Sequence, residues 1–216
     1  MSLKFFGWVA ALCLSVTALA AEPPKITAYE RSQGWRLLFD GKDVSDWRGY
    51  RANKISANWS AAGGSLVGTA GSALVSMADY EDFEFMFDWK VAAGGNGAVY
   101  FRVSEDEAKP EETGPMMALS GHGDALGGNG ISPPDRALPP QFDVWYRAKI
   151  VVYGNQVEFW INGDRVMEFM IDSPSWRKAL AASRLAGYRD LGQLRKGCFA
   201  LAGEGVEFRN IKVRRL

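Results

Sequence analysis

Histidine is almost absent. The 216-residue sequence has one, His122, so no histidine-rich metal cage can form and any catalytic imidazole must be that residue. Cysteine is nearly as scarce: Cys13 and Cys198 are the only two, and Cys13 lies in an N-terminal apolar run. If that run is removed, one thiol is left and no internal disulfide is possible. Stability must then come from a core, which a chain of this length can build. A surplus of either charge is also missing, with 25 basic residues against 25 acidic ones. A nucleic-acid binder normally shows a basic face, and here Lys and Arg are scattered apart from Lys212, Arg214 and Arg215 at the end. We therefore expect no nucleic-acid partner.

Long hydrophobic runs are confined to the start. "MSLKFFGWVAALCLSVTALAAEPP" has Lys4, then an apolar stretch from Phe5 to about Leu19, closing on Ala18-Leu19-Ala20. That is the layout of a secretory leader, with small residues at the cleavage site. The run is short for a full membrane span, and Glu22-Pro23-Pro24 follows at once. Cys13 follows Leu12 rather than a small residue, which argues against lipid attachment there. The expected organisation is a signal peptide over 1–20, an N-terminal segment over 21–33 and one domain over 34–216, with no transmembrane span after cleavage.

Helical periodicity is scarce too, and what replaces it is alternation. In "EDFEFMFDWKVA", Phe83, Phe85, Phe87 and Trp89 share one face, and Glu84, Met86, Asp88 and Lys90 the other. "NWSAAGGSLVGT" reads as a hairpin about Gly63-Gly64. Gly94-Gly95-Asn96-Gly97 reads as a turn between two long adjacent strands, and 197–210 as a buried strand, a tight turn and another strand. Gly154-Asn155 and Asn162-Gly163 punctuate a three-strand meander. One helix is convincing, near 174–185, capped by Ser173 with Pro174 in its first turn and Gly187 to end it. Residues 105–141 carry no sustained period and hold Gly121-His122-Gly123-Asp124. Loops this long in a compact domain are usually functional or disordered. The fold class is all-β, a sandwich of two antiparallel sheets with one short helix.

Several side chains have two readings. Glu204, between Gly203 and Gly205, is a base or ligand at a strand corner, or a solvated turn carboxylate. His122 with Asp124 is a base with its orienting acid, a pair of metal ligands, or an ordinary surface loop. Arg102 is a binder of sugar hydroxyls or an enolate, or a partner of Asp88 or Glu84 on the neighbouring strand. Trp160 has the opposite parity from Phe159 and Ile161 and is the better sugar-stacking platform. Trp89 shares the Phe83 face and belongs to the core. Cys198 alternates with Ala200 and Ala202 and reads as a small buried hydrophobe.

Four motifs in order, "LLFDGKDVSDW", "GGNGAVYFRV", "GNQVEFWINGDRV" and "EFRNIKVRRL", resemble the 3-keto-disaccharide hydrolase family from about Gly34 to Leu216. The resemblance implies a concanavalin A-like jelly roll whose concave face holds carbohydrate. It also implies export by a bacterium, to the periplasm or beyond. The implied substrate is a glycoside oxidised to a ketone at C3. The ketone acidifies the C2 proton, a base removes it, the enolate is stabilised and the C1 substituent leaves, after which water adds. The electrophile in such a site is an arginine or a divalent metal. The motifs near the implied site depart from the family. Leu201-Ala202-Gly203-Glu204-Gly205 stands where relatives have Leu-Gln-Asp-His-Gly. Gly114-Pro115 is followed by Met116-Met117-Ala118-Leu119 where relatives place a Glu and a Gln. Gly130-Ile131-Ser132-Pro133-Pro134 stands where relatives have an "ALYD"-like segment. A non-catalytic carbohydrate-binding sandwich is therefore the second reading.

The leader predicts a mature chain that starts just after Ala20. Intact-mass measurement of the protein from the exported fraction checks this; a soluble cytosolic chain that starts at Met1 or Ser2 would contradict it.

Overall fold

The computed structural model describes residues 26–120, 131, 135 and 141–216. The expected leader over 1–20, His122 and Asp124 lie outside the described residues. Eleven strands form one antiparallel sheet that folds back on itself. Its spine is a pair of long strands, β6 (Phe83–Val103) and β11 (Gly197–Arg215).

The first layer uses residues 83–91 of β6 and 206–215 of β11. The meander β8 (Tyr146–Tyr153), β9 (Gln156–Ile161) and β10 (Asp164–Met170) adds to the β6 side. The β11 side takes β1 (Arg36–Leu37) and the hairpin of β3 (Trp59–Ala62) and β4 (Ser65–Gly68). The second layer uses the other halves of the same two strands. There β7 (Met116–Leu119) pairs with β6, while β5 (Leu74–Tyr80) pairs with β11 and with β2 (Trp47–Gly49). The sandwich expected from alternation is therefore present, but its two layers are continuous.

That continuity corrects two readings. Gly94-Gly95-Asn96-Gly97 is not a hairpin turn, and 203–205 does not separate two strands. Both chains bend together and stay paired through the bend, with Gly97 opposite Gly203 and Asn96 opposite Glu204. Paired backbone groups remain satisfied through the corner, so neither strand has to reverse. The bend depends on missing side chains. Gly203 sits at φ +144°, and a Cβ there would lie 2.3 Å from the Asn96 carbonyl oxygen.

Between the layers lies the aromatic face read from the sequence. Phe83, Phe85 and Phe87 are fully buried and Trp89 nearly so. Phe199 from the second layer stacks on Phe85 at 4.0 Å between ring centroids and on Tyr80 at 4.6 Å, and meets Phe83 edge-on at 4.8 Å. Such ring pairs add stability beyond the area they bury. The turn after β9 has both Asn162 (φ 51°) and Gly163 (φ 94°) left-handed, the geometry of a two-residue hairpin loop.

The helix content also differs from expectation. Alongside α2 (Pro174–Ala181) there is α1 (Ala28–Ser32), in the segment before the domain. α1 is a capping box: the Thr27 hydroxyl accepts from Glu30 N–H, and the Glu30 carboxylate accepts from Thr27 N–H. Lys212 of β11 also pairs with Glu30, and these partners hold its pKa down to about 2. α2 stops at Ala181, short of the expected end. Ser183 donates from its backbone and its hydroxyl to the Leu180 carbonyl, and its hydroxyl accepts from Leu185 N–H. That local bonding competes with another helical turn. Among the described residues no helix is long and apolar enough to cross a membrane.

Two alanine variants separate the corner from an ordinary turn. Gly203→Ala meets both the +144° backbone and the Asn96 carbonyl, and should cost about 2–4 kcal/mol. Gly63→Ala (φ +58°) has nothing within 4 Å of the new Cβ and should cost about 1 kcal/mol. Urea unfolding midpoints with matched slopes check the difference.

Candidate functional site

The paired bend puts Glu204 at an exposed corner. Among the described residues nothing hydrogen-bonds to its carboxylate. Across the sheet, Leu119, Gly97 and Gly203 stand in one row on β7, β6 and β11. One step further along, Asn96 and Glu204 are opposite each other. The chain leaves β7 at this point toward the segment that carries His122 and Asp124. Strand spacing puts the end of β7 about 10 Å from β11.

The outer face of the second layer extends from this corner. On this side lie Ala98 and Tyr100 from β6 and Cys198 and Ala200 from β11, all buried in a small apolar cluster, with Met116 and Ala118 from β7 and Ala202 from β11 partly exposed beside them. Small apolar residues thus hold the positions nearest the corner, and Ala202 is the one just before it. Burial pushes the Tyr100 phenol up to about 12. Farther out, the Arg48 guanidinium forks onto the Glu105 carboxylate, one arm at 2.7 Å, and lowers its pKa. The Tyr50 hydroxyl reaches the carbonyls of Glu107 (2.8 Å) and Ser104 (3.0 Å). No local pattern signals these contacts, because the partners lie more than fifty residues apart.

Arg102 is elsewhere. Its side chain is 1% exposed, on a left-handed backbone at φ 52°. Nε and Nη2 donate to the Glu81 carbonyl at 3.0 and 2.7 Å, and Nη2 to Asp82 at 3.1 Å. Asp82 also accepts from Gly154 N–H at 2.9 Å. Arg102 therefore locks the β5–β6 turn to the β8–β9 hairpin, and its partner is Asp82 rather than Asp88 or Glu84. A guanidinium enclosed in this way has no surface to offer a sugar.

Trp160 does lie on the outer face, as its parity implied, but on the first layer. Its indole N–H donates to Glu158 at 2.8 Å, and Lys149 Nζ sits 4.6 Å from the ring centroid. Its row runs through Lys149 and Met86, ten residues along β6 from Asn96. The structure does not bring Trp160, Arg102 and Glu204 together. His122 and Asp124 are outside the described residues, and among those described no three His, Cys, Asp or Glu side chains gather to hold a metal ion.

The chain as a whole has relatives among known proteins. Residues 34–214 match the family model of the 3-keto-alpha-glucoside-1,2-lyase-like domain. The chain belongs to this family. It is 25% identical to the 3-keto-disaccharide hydrolase of Bacteroides thetaiotaomicron, over 94% of this chain and 86% of that one. Among solved structures, a Parabacteroides distasonis protein provisionally named a glycosyl hydrolase superposes with TM-score 0.82 at 23% identity, over 90% of this chain and 99% of that one. A carbohydrate-binding module of Bacillus subtilis superposes with TM-score 0.53 at 18% identity, over 77% of this chain and 94% of that one. The family and the fold are those of a carbohydrate-active β-sandwich protein.

Cys198 is 5% exposed and its thiol donates to the Val103 carbonyl at 3.3 Å. Burial pushes its pKa up to about 12, so at pH 8 it stays protonated and a poor nucleophile. A thiol reagent at pH 8 should label the protein only after guanidinium unfolding. Rapid labelling of the folded protein would contradict this.

Proposed function

We propose that this is an exported enzyme that cleaves 3-keto-glycosides, with Glu204 as its general base. One observation carries the reading: the shared bend holds an exposed carboxylate, with no hydrogen-bond partner among the described residues, beside the end of the strand that precedes His122 and Asp124 in the sequence. Family membership supplies the substrate class. Glu204 takes the proton from C2, which the C3 ketone has made acidic. The electron pair moves into the enolate, the C1–O bond breaks and the departing oxygen takes a proton. Water then adds at C1. His122 and Asp124 are candidates for the groups that orient or protonate, and the enolate binder is not Arg102, whose donors are enclosed.

A second reading rests on Ala98, Ala118, Ala200 and Ala202. With these residues the face beside the corner has few polar groups to hold a reacting sugar, and this favours a carbohydrate-binding sandwich without turnover.

Release of nitrophenolate from a nitrophenyl 3-keto-glucoside decides between them. The enzyme reading expects turnover, and expects Glu204→Gln to lower kcat by about a hundredfold to ten-thousandfold while KM changes little. Turnover that survives Glu204→Gln unchanged would remove Glu204 from the mechanism. A wild-type protein that binds glycans without releasing nitrophenolate would establish the binding module.

A further inference from the structure

The outer face of the first layer holds a second polar cluster, unrelated to the chemistry at the corner. Asp88 of β6 is 5% exposed. Its Oδ1 accepts from Arg147 Nε at 2.9 Å, and its Oδ2 accepts from Asn210 and lies 3.4 Å from Arg147 Nη2. Arg209 approaches the same carboxylate, but its Nε stays 3.6 Å from Oδ2. That buried nitrogen has no hydrogen-bond partner among the described residues. The guanidinium instead lies over Trp145, 3.8 Å from the ring centroid. Lys90, 5.1 Å from the same ring, is already paired with Glu207 at 2.8 Å.

Asp88, Trp145, Arg147 and Arg209 border an open cleft of about 540 Å³. That is larger than a bare ion needs and lies within the usual range for small-molecule sites, about 300–1,000 Å³. Asp88 is the only acid among the lining residues described, against two guanidinium groups. The cleft therefore has an excess of positive charge. The Arg147 side chain is 60% exposed, yet it is anchored through Nε to a buried carboxylate. Its backbone is fixed too: Arg147 N–H donates to Asn162 Oδ1 at 2.9 Å, and Asn162 N–H donates to the Arg147 carbonyl at 2.8 Å. A guanidinium held at one edge and open at the other suits two-point recognition of a planar oxyanion. Holding both arginines in place beforehand lowers the entropy that binding would otherwise cost.

We propose that this cleft is a subsite for an acidic sugar, with Arg147 and Arg209 binding its carboxylate or sulfate ester and Trp145 and Asn162 bordering the ring. It does not depend on Glu204 or on 3-keto chemistry. Carboxylate and sulfate share the recognition, so separate probes distinguish them.

The experiment is a titration of the mature chain, followed by tryptophan fluorescence and calorimetry. The probes are methyl glucuronide, glucose 6-sulfate, methyl glucoside and inorganic sulfate. At low salt, at least one acidic sugar should bind about tenfold or more tighter than both the glucoside and inorganic sulfate. The tighter of the two acidic sugars identifies the group. Binding should weaken from about 0.05 to about 0.5 M sodium chloride, as screening shortens the reach of the charges. Arg147→Gln, at a largely exposed side chain, should lose most of this preference. Arg209→Lys, which keeps the charge and loses the fork, should lose part of it. Nitrophenyl 3-keto-glucoside turnover should be unchanged in Arg147→Gln if the wild type has it. Equal binding of glucoside and acidic sugars, inorganic sulfate binding as tightly as either, an unchanged Arg147→Gln variant, or no saturation at millimolar probe would each overturn the assignment.

Discussion

Two strands that stay hydrogen-bonded to each other around a corner organise this protein. β6 and β11 cross from one layer to the other as a pair, so every other strand attaches to one half or the other of the same ribbon, directly or through a neighbouring strand. The aromatic core follows from this. Folding the ribbon over brings Phe199, on one half of β11, onto Phe83 and Phe85, on the opposite half of β6. The candidate base also follows, because a bend in a paired ladder is the one place where a strand residue stands clear of both sheet faces. The glycines are the condition for it. A side chain at 203 would run into the Asn96 carbonyl, and the two strands could not keep their pairing there.

The alternation of Phe83, Phe85, Phe87 and Trp89 was legible because a buried face repeats every second residue whatever the partner strand does. The hairpin at Gly63-Gly64 and the meander turns were legible for a similar reason: their conformation is set within a few residues. The corner was misread because a glycine run in one strand looks the same whether the chain reverses or bends. The difference lies in whether a second glycine pair stands opposite it, about one hundred residues later. α1 had a local signal, the Thr27–Glu30 spacing of a capping box, in a segment that the sequence left without structure.

Of the candidate site residues, Glu204 was legible in position only: its flanking glycines mark a corner, but not that the strand runs on through it still paired. The fate of Arg102 was not legible. Strand parity predicts which way a side chain points only while the strand is regular, and Arg102 sits at positive φ, where the alternation breaks. Its guanidinium then reaches the carbonyl and carboxylate of the preceding turn. Trp160 shows the complementary limit. Parity placed it correctly on an outer face, but a sandwich has two outer faces, and only topology says which one. Asp88 was assigned by parity to the polar face of its strand, and there it is nearly buried, because two arginines and an asparagine from β8 and β11 close over it.

The corner and the arginine cleft share this ribbon. Glu204 and Arg209 are both on β11, five residues apart, which is at most about 17 Å of extended strand. The two positions are joined by continuous cross-strand pairing with β6, interrupted only by bulges. Such pairing resists hinging between them. A single ligand long enough to touch both would connect them. An oligosaccharide has that length and a monosaccharide does not. The physical consequence is specific: an acidic residue held by Arg147 and Arg209 would set how far along its glycan the sugar at Glu204 lies. The spacing would then be measured by a rigid pair of strands rather than by a flexible loop.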